Sequence, residues 1–242
     1  FQVDTLAEAA HSDEGRAWLN AVKGDSRLST GLCAIEASAV QTASGREAEQ
    51  RLLGQAASDP HLAAALESAH AVAAQTEEGR AALTSLHETA AAHPELATSL
   101  VQAQAAALET EEGSRAVALL NHEAASSPRL SSAMVASETA AMQTSDGRDA
   151  MRQVLDSAAR DPEVAAARTA VQAAAASTPE GRSQVADWLH EVGSDTALST
   201  AQARVDAEAA STSSGQQSLA ERNRELARDP RELGLKGMVD RR

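Results

Sequence analysis

The chain has 242 residues and a formal charge of −14 at pH 7, with one cysteine, two tryptophans, one phenylalanine and no tyrosine. Rings and β-branched residues are too sparse for a sheet protein, and the lone Cys33 excludes an intramolecular disulfide. The acidic balance disfavours wrapping a phosphate backbone. What remains is rich in Ala, Leu, Glu, Gln and Arg, the strong helix formers, which predicts an all-α fold.

In chain order, residues 1–11 read as the second helix of a partial unit, and Ser12 opens the first full one. From there a period governs the sequence. Gly45, Gly79, Gly113, Gly147, Gly181 and Gly215 are 34 residues apart, with Gly15 lying 30 before Gly45. Pro60, Pro94, Pro128, Pro162 and Pro230 keep the same period, and Thr196 fills the empty slot. Two independent residue types on one period identify internal repeats. The units start near residues 12, 42, 76, 110, 144, 178 and 212, giving one repeat domain over 1–228 and a C-terminal cap or tail over 229–242. The first unit lacks four residues between Gly15 and Leu28 when "RAWLNAVKGDSRL" is set against "VADWLHEVGSDTAL". That is about one helical turn, so one helix shortens without turning its faces.

Each unit reads as two helices. The first begins at a Thr N-cap (Thr42, Thr76, Thr110, Thr144, Thr178, Thr212) whose hydroxyl accepts from an orphan backbone N–H of the first turn. Acidic residues follow at Glu77, Glu78, Glu111, Glu112, Asp146 and Glu180, where the positive end of the helix dipole favours them. The second helix begins at Asp59-Pro60, Ser127-Pro128, Asp161-Pro162 and Asp229-Pro230, with His93-Pro94 a weaker variant and Asp195-Thr196 keeping only the cap. These prolines forbid one continuous helix through the unit. Apolar columns run through the units at Leu83, Val117, Met151, Val185 and Leu219, and at Leu52, Leu86, Leu120, Val154 and Trp188. In the second helices Leu62, Leu96, Leu130, Val164 and Leu198 form another. Spacings of three, four and seven mark helical stripes. The expected architecture is an α-solenoid of about seven stacked antiparallel hairpins, on the order of 65 Å long if hairpins stack at about 9–10 Å. A glycine inside the first turn costs helix propensity. Its recurrence is expected where a neighbouring helix leaves no room for a Cβ.

Chemical motifs are few. His87-Glu88, His122-Glu123 and His190-Glu191 fall at matching places, but the positions that would complete a zinc-protease helix hold Ala91, Ser126 and Ser194. The other histidines show no ligand spacing, so no metal, cofactor or catalytic group is expected, and Cys33 reads as an inert thiol. Trp18 and Trp188 share a column and read as core filling. Arg16, Arg46, Arg80, Arg115, Arg148 and Arg182 recur just after the repeat glycine. They form either a guanidinium ladder for an anionic partner or a set of inter-repeat ion pairs, and repetition in step with the fold favours the structural role.

The 34-residue helical hairpin resembles the tetratricopeptide repeat in unit length, which implies a helical solenoid that binds peptides in a concave groove. The large aromatic positions of that family are Ala or polar here, so no peptide-clamping residues are carried over. "STPEGR" (177–182) and "GSDTALSTAQARV" (193–205) are faintly similar to parts of the repeats of plant-pathogen TAL effectors. The phase between those pieces differs, the base-reading Gly-Gly loop is absent and the charge has the opposite sign.

These features point to a non-enzymatic binding or scaffolding module that displays an acidic, elongated surface to a protein partner of basic character. The alternatives are a self-assembling spacer stacked end to end, and a nucleic-acid binder using the Arg column or the tail, where residues 221–242 carry a net charge of +2. With no apolar run of membrane-spanning length, no signal peptide at Phe1 and one cysteine, a reducing, cytoplasmic setting without a membrane partner is the expectation.

Overall fold

The computed structural model describes residues 12–228, less the side chains of Asp13, Glu14 and Arg16. The expected partial unit at 1–11, the Asp229-Pro230 cap and the tail lie outside these residues. Thirteen helices and no strand occur among the described residues. They are α1 (Asp13–Val22), α2 (Ser26–Ala39), α3 (Ala43–Ser58), α4 (Pro60–Ala74), α5 (Glu77–Ala91), α6 (Pro94–Ala107) and α7 (Glu111–Ala124). Then follow α8 (Pro128–Ala141), α9 (Ser145–Ala158), α10 (Pro162–Ala176), α11 (Pro179–Ser194), α12 (Thr196–Ala209) and α13 (Ser213–Ala227). Helix α1, at 10 residues, is shortened by one turn as the sequence alignment of units requires.

The caps form where the sequence places them. Thr42, Thr76, Thr110, Thr144, Thr178 and Thr212 each accept the N–H of the glycine three residues on, at 2.9–3.1 Å. Asp59, Asp161 and Asp195 cap their helices with a carboxylate, and Ser127 with its hydroxyl. His93 makes no side-chain cap bond, in keeping with its weaker signal.

Odd- and even-numbered helices differ in character. The even helices bury residues nearly all round: in α4, Leu62 to Glu67 are buried without interruption, as are Ala69, His70, Ala71, Ala73 and Ala74. Such a helix must be interior, and its alanines let neighbours come close. Helix α6 accordingly packs against α3, α4, α5, α7, α8 and α9. The odd helices bury one stripe and pack almost wholly on even ones; α5 rests on α2, α4, α6 and α8.

The chain is thus an all-α helical-repeat solenoid, wound more tightly than a row of side-by-side hairpins. The most extensive packing is between each helix and the third one along: α4 on α7, α3 on α6, α5 on α8 and α10 on α13. Three columns result, α1-α4-α7-α10-α13, α2-α5-α8-α11 and α3-α6-α9-α12, visited in rotation. Five layers at about 9–10 Å give a body on the order of 45–50 Å long, shorter than the 65 Å expected from stacked hairpins. One apolar cluster runs from Leu19 in α1 to Leu226 in α13. Trp188 fills it, fully buried, but Trp18 is 42% exposed and does not share that role.

The junction from an even helix to the next odd helix sets this winding. A Cβ built on Gly45, Gly79, Gly113, Gly147, Gly181 or Gly215 would lie 1.9–2.1 Å from a carbonyl oxygen, that of Ala39, Ala73, Ala107, Ala141, Ala175 or Ala209. The crowding neighbour is therefore the end of the preceding helix. The same carbonyl accepts the Thr hydroxyl, at 2.9 Å for Thr76 on Ala73 and 3.1 Å for Thr144 on Ala141. Ala-x-x-Thr-x-x-Gly is the junction's signature, with Thr relaying a hydrogen bond from the glycine N–H to the alanine carbonyl.

Candidate functional site

The arginine column is largely part of the junctions. Arg46, Arg80, Arg148 and Arg182 each donate to the carbonyl six residues back, those of Val40, Ala74, Met142 and Ala176, at 2.6–3.2 Å. These carbonyls end α2, α4, α8 and α10, so the guanidinium satisfies acceptors that a helix C-terminus leaves open. The expected inter-repeat ion pairs are replaced by this capping; among the described residues, only Arg182 of these four also approaches a carboxylate, that of Glu225, at 3.7 Å. Arg115 sits one residue out of register, where Ser114 holds the column's place, and pairs with Glu111 on an exposed surface. The Arg16 side chain lies outside the described part.

Winding by threes opens one groove in each of four successive 34-residue units. In each, the N-terminal half of an even helix forms the floor, and two odd helices six apart form the walls. The four grooves are α1/α4/α7, α3/α6/α9, α5/α8/α11 and α7/α10/α13, with volumes of about 400, 440, 410 and 520 Å³. Small residues pave two of the floors, Ala133 and Ala136 on α8 and Ala166, Ala167 and Ala170 on α10. Their cations are engaged within the chain: Lys23 with Glu112, Arg129 with Glu88 at 3.0 Å, Arg115 with Glu111 and Arg46 with the Val40 carbonyl.

A polar ladder runs along the even helices, buried except at its half-buried members Glu138 and Asp206. Glu36, His70, Gln104, Glu138, Gln172 and Asp206 are 34 residues apart, one on each of α2 to α12. At the far end its acids have guanidinium partners. Arg168 holds Glu138 with two bonds of 3.0 and 2.9 Å. Arg222 holds Asp206 at 3.1 and 2.8 Å and also donates to Gln172.

The near end is built differently. His70 bonds Glu36 at 3.0 Å, and Cys33 lies with them, so that Sγ, a Glu36 oxygen and a His70 ring nitrogen are all within 4.8 Å of one another. Glu49 on α3 and Glu67 on α4 are also buried beside them. Both oxygens of Glu49 and one of Glu67 have no hydrogen-bond partner among the described residues. Burial, reinforced by Glu36, pushes the Glu49 carboxyl well above the usual range, and burial likewise raises Glu67. Burial and the carboxylates Glu36 and Glu49 push the Cys33 thiol up. Burial works against a charge on His70, but the charge and hydrogen bond of Glu36, joined by Glu67 and Glu49, lift it to about 9. The histidines are not all scattered: a thiol, an imidazole and three carboxylates converge in the interior, with the Cys33 thiol fully buried and held toward its neutral, unreactive form.

The sequence carried a signal for this cluster. Glu49 occupies the register of Leu83, Val117, Met151, Val185 and Leu219, and Glu67 that of Val101 and Val135. The three His-Glu pairs do not converge. His87 is half-buried and bonds Ser137 at 2.8 Å, whereas His122 and His190 are exposed.

The fold and these surfaces define a helical-repeat solenoid with a groove at each of four successive units. No family model, no curated protein and no solved structure matches the chain. No helix among the described residues is long and apolar enough to cross a membrane.

Proposed function

We propose that this protein is a non-enzymatic scaffold that binds a basic, extended protein segment along its row of grooves. The observation that carries this reading is the recurrence of an open groove at one register of four successive units, two of them floored by small side chains. A repeated groove suits an extended chain because each unit meets an equivalent stretch of it, and avidity accumulates along the row. The formal charge of −14 favours a cationic partner and raises its rate of encounter. With Arg46, Arg80, Arg148 and Arg182 donating to helix ends, these columns offer little to a phosphate backbone.

The test is affinity capture at physiological salt, with and without nuclease, comparing the wild type with an Ala136→Lys/Ala167→Lys double variant. Both substitutions put a positive charge into a groove at partly exposed positions. A basic protein retained after nuclease and released by the double variant, whose helicity and Tm are unchanged, is the expected result. Retention by the variant contradicts groove binding. Capture that disappears with nuclease favours the nucleic-acid reading, and capture of the chain itself favours the spacer.

A further inference from the structure

We propose that Cys33, Glu36, Glu49 and His70 form a binding site for a divalent transition metal, zinc(II) above the others. The repeat supplies its own control for this inference. Where other units place Leu83, Val117, Met151 and Val185, all with no exposure, the second unit places Glu49, also with none. Where other units place Val101 and Val135, it places Glu67, and the unit before it Cys33. The fold therefore accepts apolar residues at these positions, and stability alone favours them, because a buried carboxylate without a partner is costlier than a well-packed apolar side chain.

The donors fit one class of ion. A thiolate selects a soft or borderline metal over magnesium or calcium, and an imidazole with carboxylates completes a set that zinc accepts in tetrahedral geometry. Tetrahedral ligands at about 2.0–2.3 Å from a metal stand roughly 3.3–3.8 Å apart. Cys33, Glu36 and His70 already hold their ligand atoms within 4.8 Å of one another. Metal capture draws these atoms together by about an ångström. Glu49 lies outside that trio but is fully buried, and its two oxygens have no hydrogen-bond partner among the described residues, so its carboxylate is the group free to swing in as the fourth ligand. A divalent cation offsets the negative charge that the rest of the ladder meets with Arg168 and Arg222. The site joins α2, α3 and α4, so metal uptake is coupled to their packing.

The experiment refolds the full chain from denaturant with cobalt(II), a spectroscopic substitute for zinc. Three proteins are compared: wild type, Cys33→Val and Glu49→Leu, the substitutions being residue types that other units carry at these positions. The expected wild-type result is one equivalent of cobalt, a thiolate-to-metal charge-transfer band and intense tetrahedral d–d bands, all displaced by zinc. Cys33→Val loses the charge-transfer band. Glu49→Leu folds, with a Tm at or above that of the metal-free wild type, and binds at least about 100-fold more weakly. No saturable uptake by folded wild type, or an unchanged spectrum in Cys33→Val, overturns the assignment and leaves a metal-free polar core.

Discussion

The Cα of Gly79 lies so close to the end of the preceding helix that a methyl group there would stand 2.0 Å from the Ala73 carbonyl oxygen. The contact recurs at every even-to-odd junction from Gly45 to Gly215. It fixes how sharply the chain turns, and that turn brings each helix onto the third one along.

Gly113→Ala therefore destabilises the protein by about 2–3 kcal/mol, because backbone must move to admit the methyl. Gly54→Ala is the internal control. Gly54 lies within α3 with nothing within 4 Å of its added Cβ, so the substitution stabilises by roughly 0.5–1 kcal/mol through helix propensity. Urea unfolding of both variants checks the contrast, and two shifts of the same sign contradict it.

Arg80→Ala removes the donor to the Ala74 carbonyl at 2.8 Å and costs about 1–2 kcal/mol. Arg115→Ala removes an exposed pair with Glu111 and changes stability by less than about 0.5 kcal/mol. Equal losses in the two variants indicate that the column does not act through capping.

His87 gives a pH dependence of defined sign. Burial, with the charge on His70 adding to it, lowers its pKa from 6.5 to about 3. The folded protein keeps this ring neutral while the unfolded chain takes up a proton below 6.5. The stability it contributes is thus present above 6.5 and drains away as pH falls toward 3. His87→Gln, which preserves a donor for Ser137, loses less stability than wild type between pH 7 and pH 5 in matched urea titrations. Parallel losses contradict this assignment.

Breaking the Glu138–Arg168 pair from one side is costlier than replacing both. Arg168 is buried, Glu138 is largely so, and the pair is doubly hydrogen-bonded. Arg168→Met alone strands a buried carboxylate and costs about 3 kcal/mol or more. Arg168→Met with Glu138→Gln, which returns these positions to the Met134 and Gln104 types of an earlier unit, recovers most of that loss. A double variant as unstable as the single one contradicts the pairing.

Much of the fold was legible because it is written locally. Thr, Gly, Asp and Pro act within a turn or two of themselves, so helix starts, the 34-residue unit and the shortened first helix could all be read from their spacing. The three-column winding was not legible, because it rests on contacts such as Thr98 with Thr144, 46 residues apart, which no local pattern encodes. The arginine column was visible, but its role required knowing that the side chain curls back onto a carbonyl. Arg115 matched by residue type although its register is shifted by one. The Cys33–Glu49–His70 cluster escaped notice for a related reason. Its residues come from three helices, and Glu49 looks like an ordinary surface acid unless its unit is aligned with Leu83 and Val117. Trp18, aligned with Trp188, packs against fewer of the described helices than its counterpart and stays partly exposed.

The winding that builds the grooves is tested most directly by a disulfide between Thr98→Cys and Thr144→Cys. The two hydroxyls lie 2.8 Å apart, joining α6 to the cap of α9. In a row of side-by-side hairpins α7 and α8 would separate these positions. Rapid, near-complete oxidation of the folded double variant, with a gel mobility shift and the loss of two thiols, is the predicted result. Thiols that stay free under conditions that oxidise an exposed control pair would contradict the three-column solenoid and the row of grooves that depends on it.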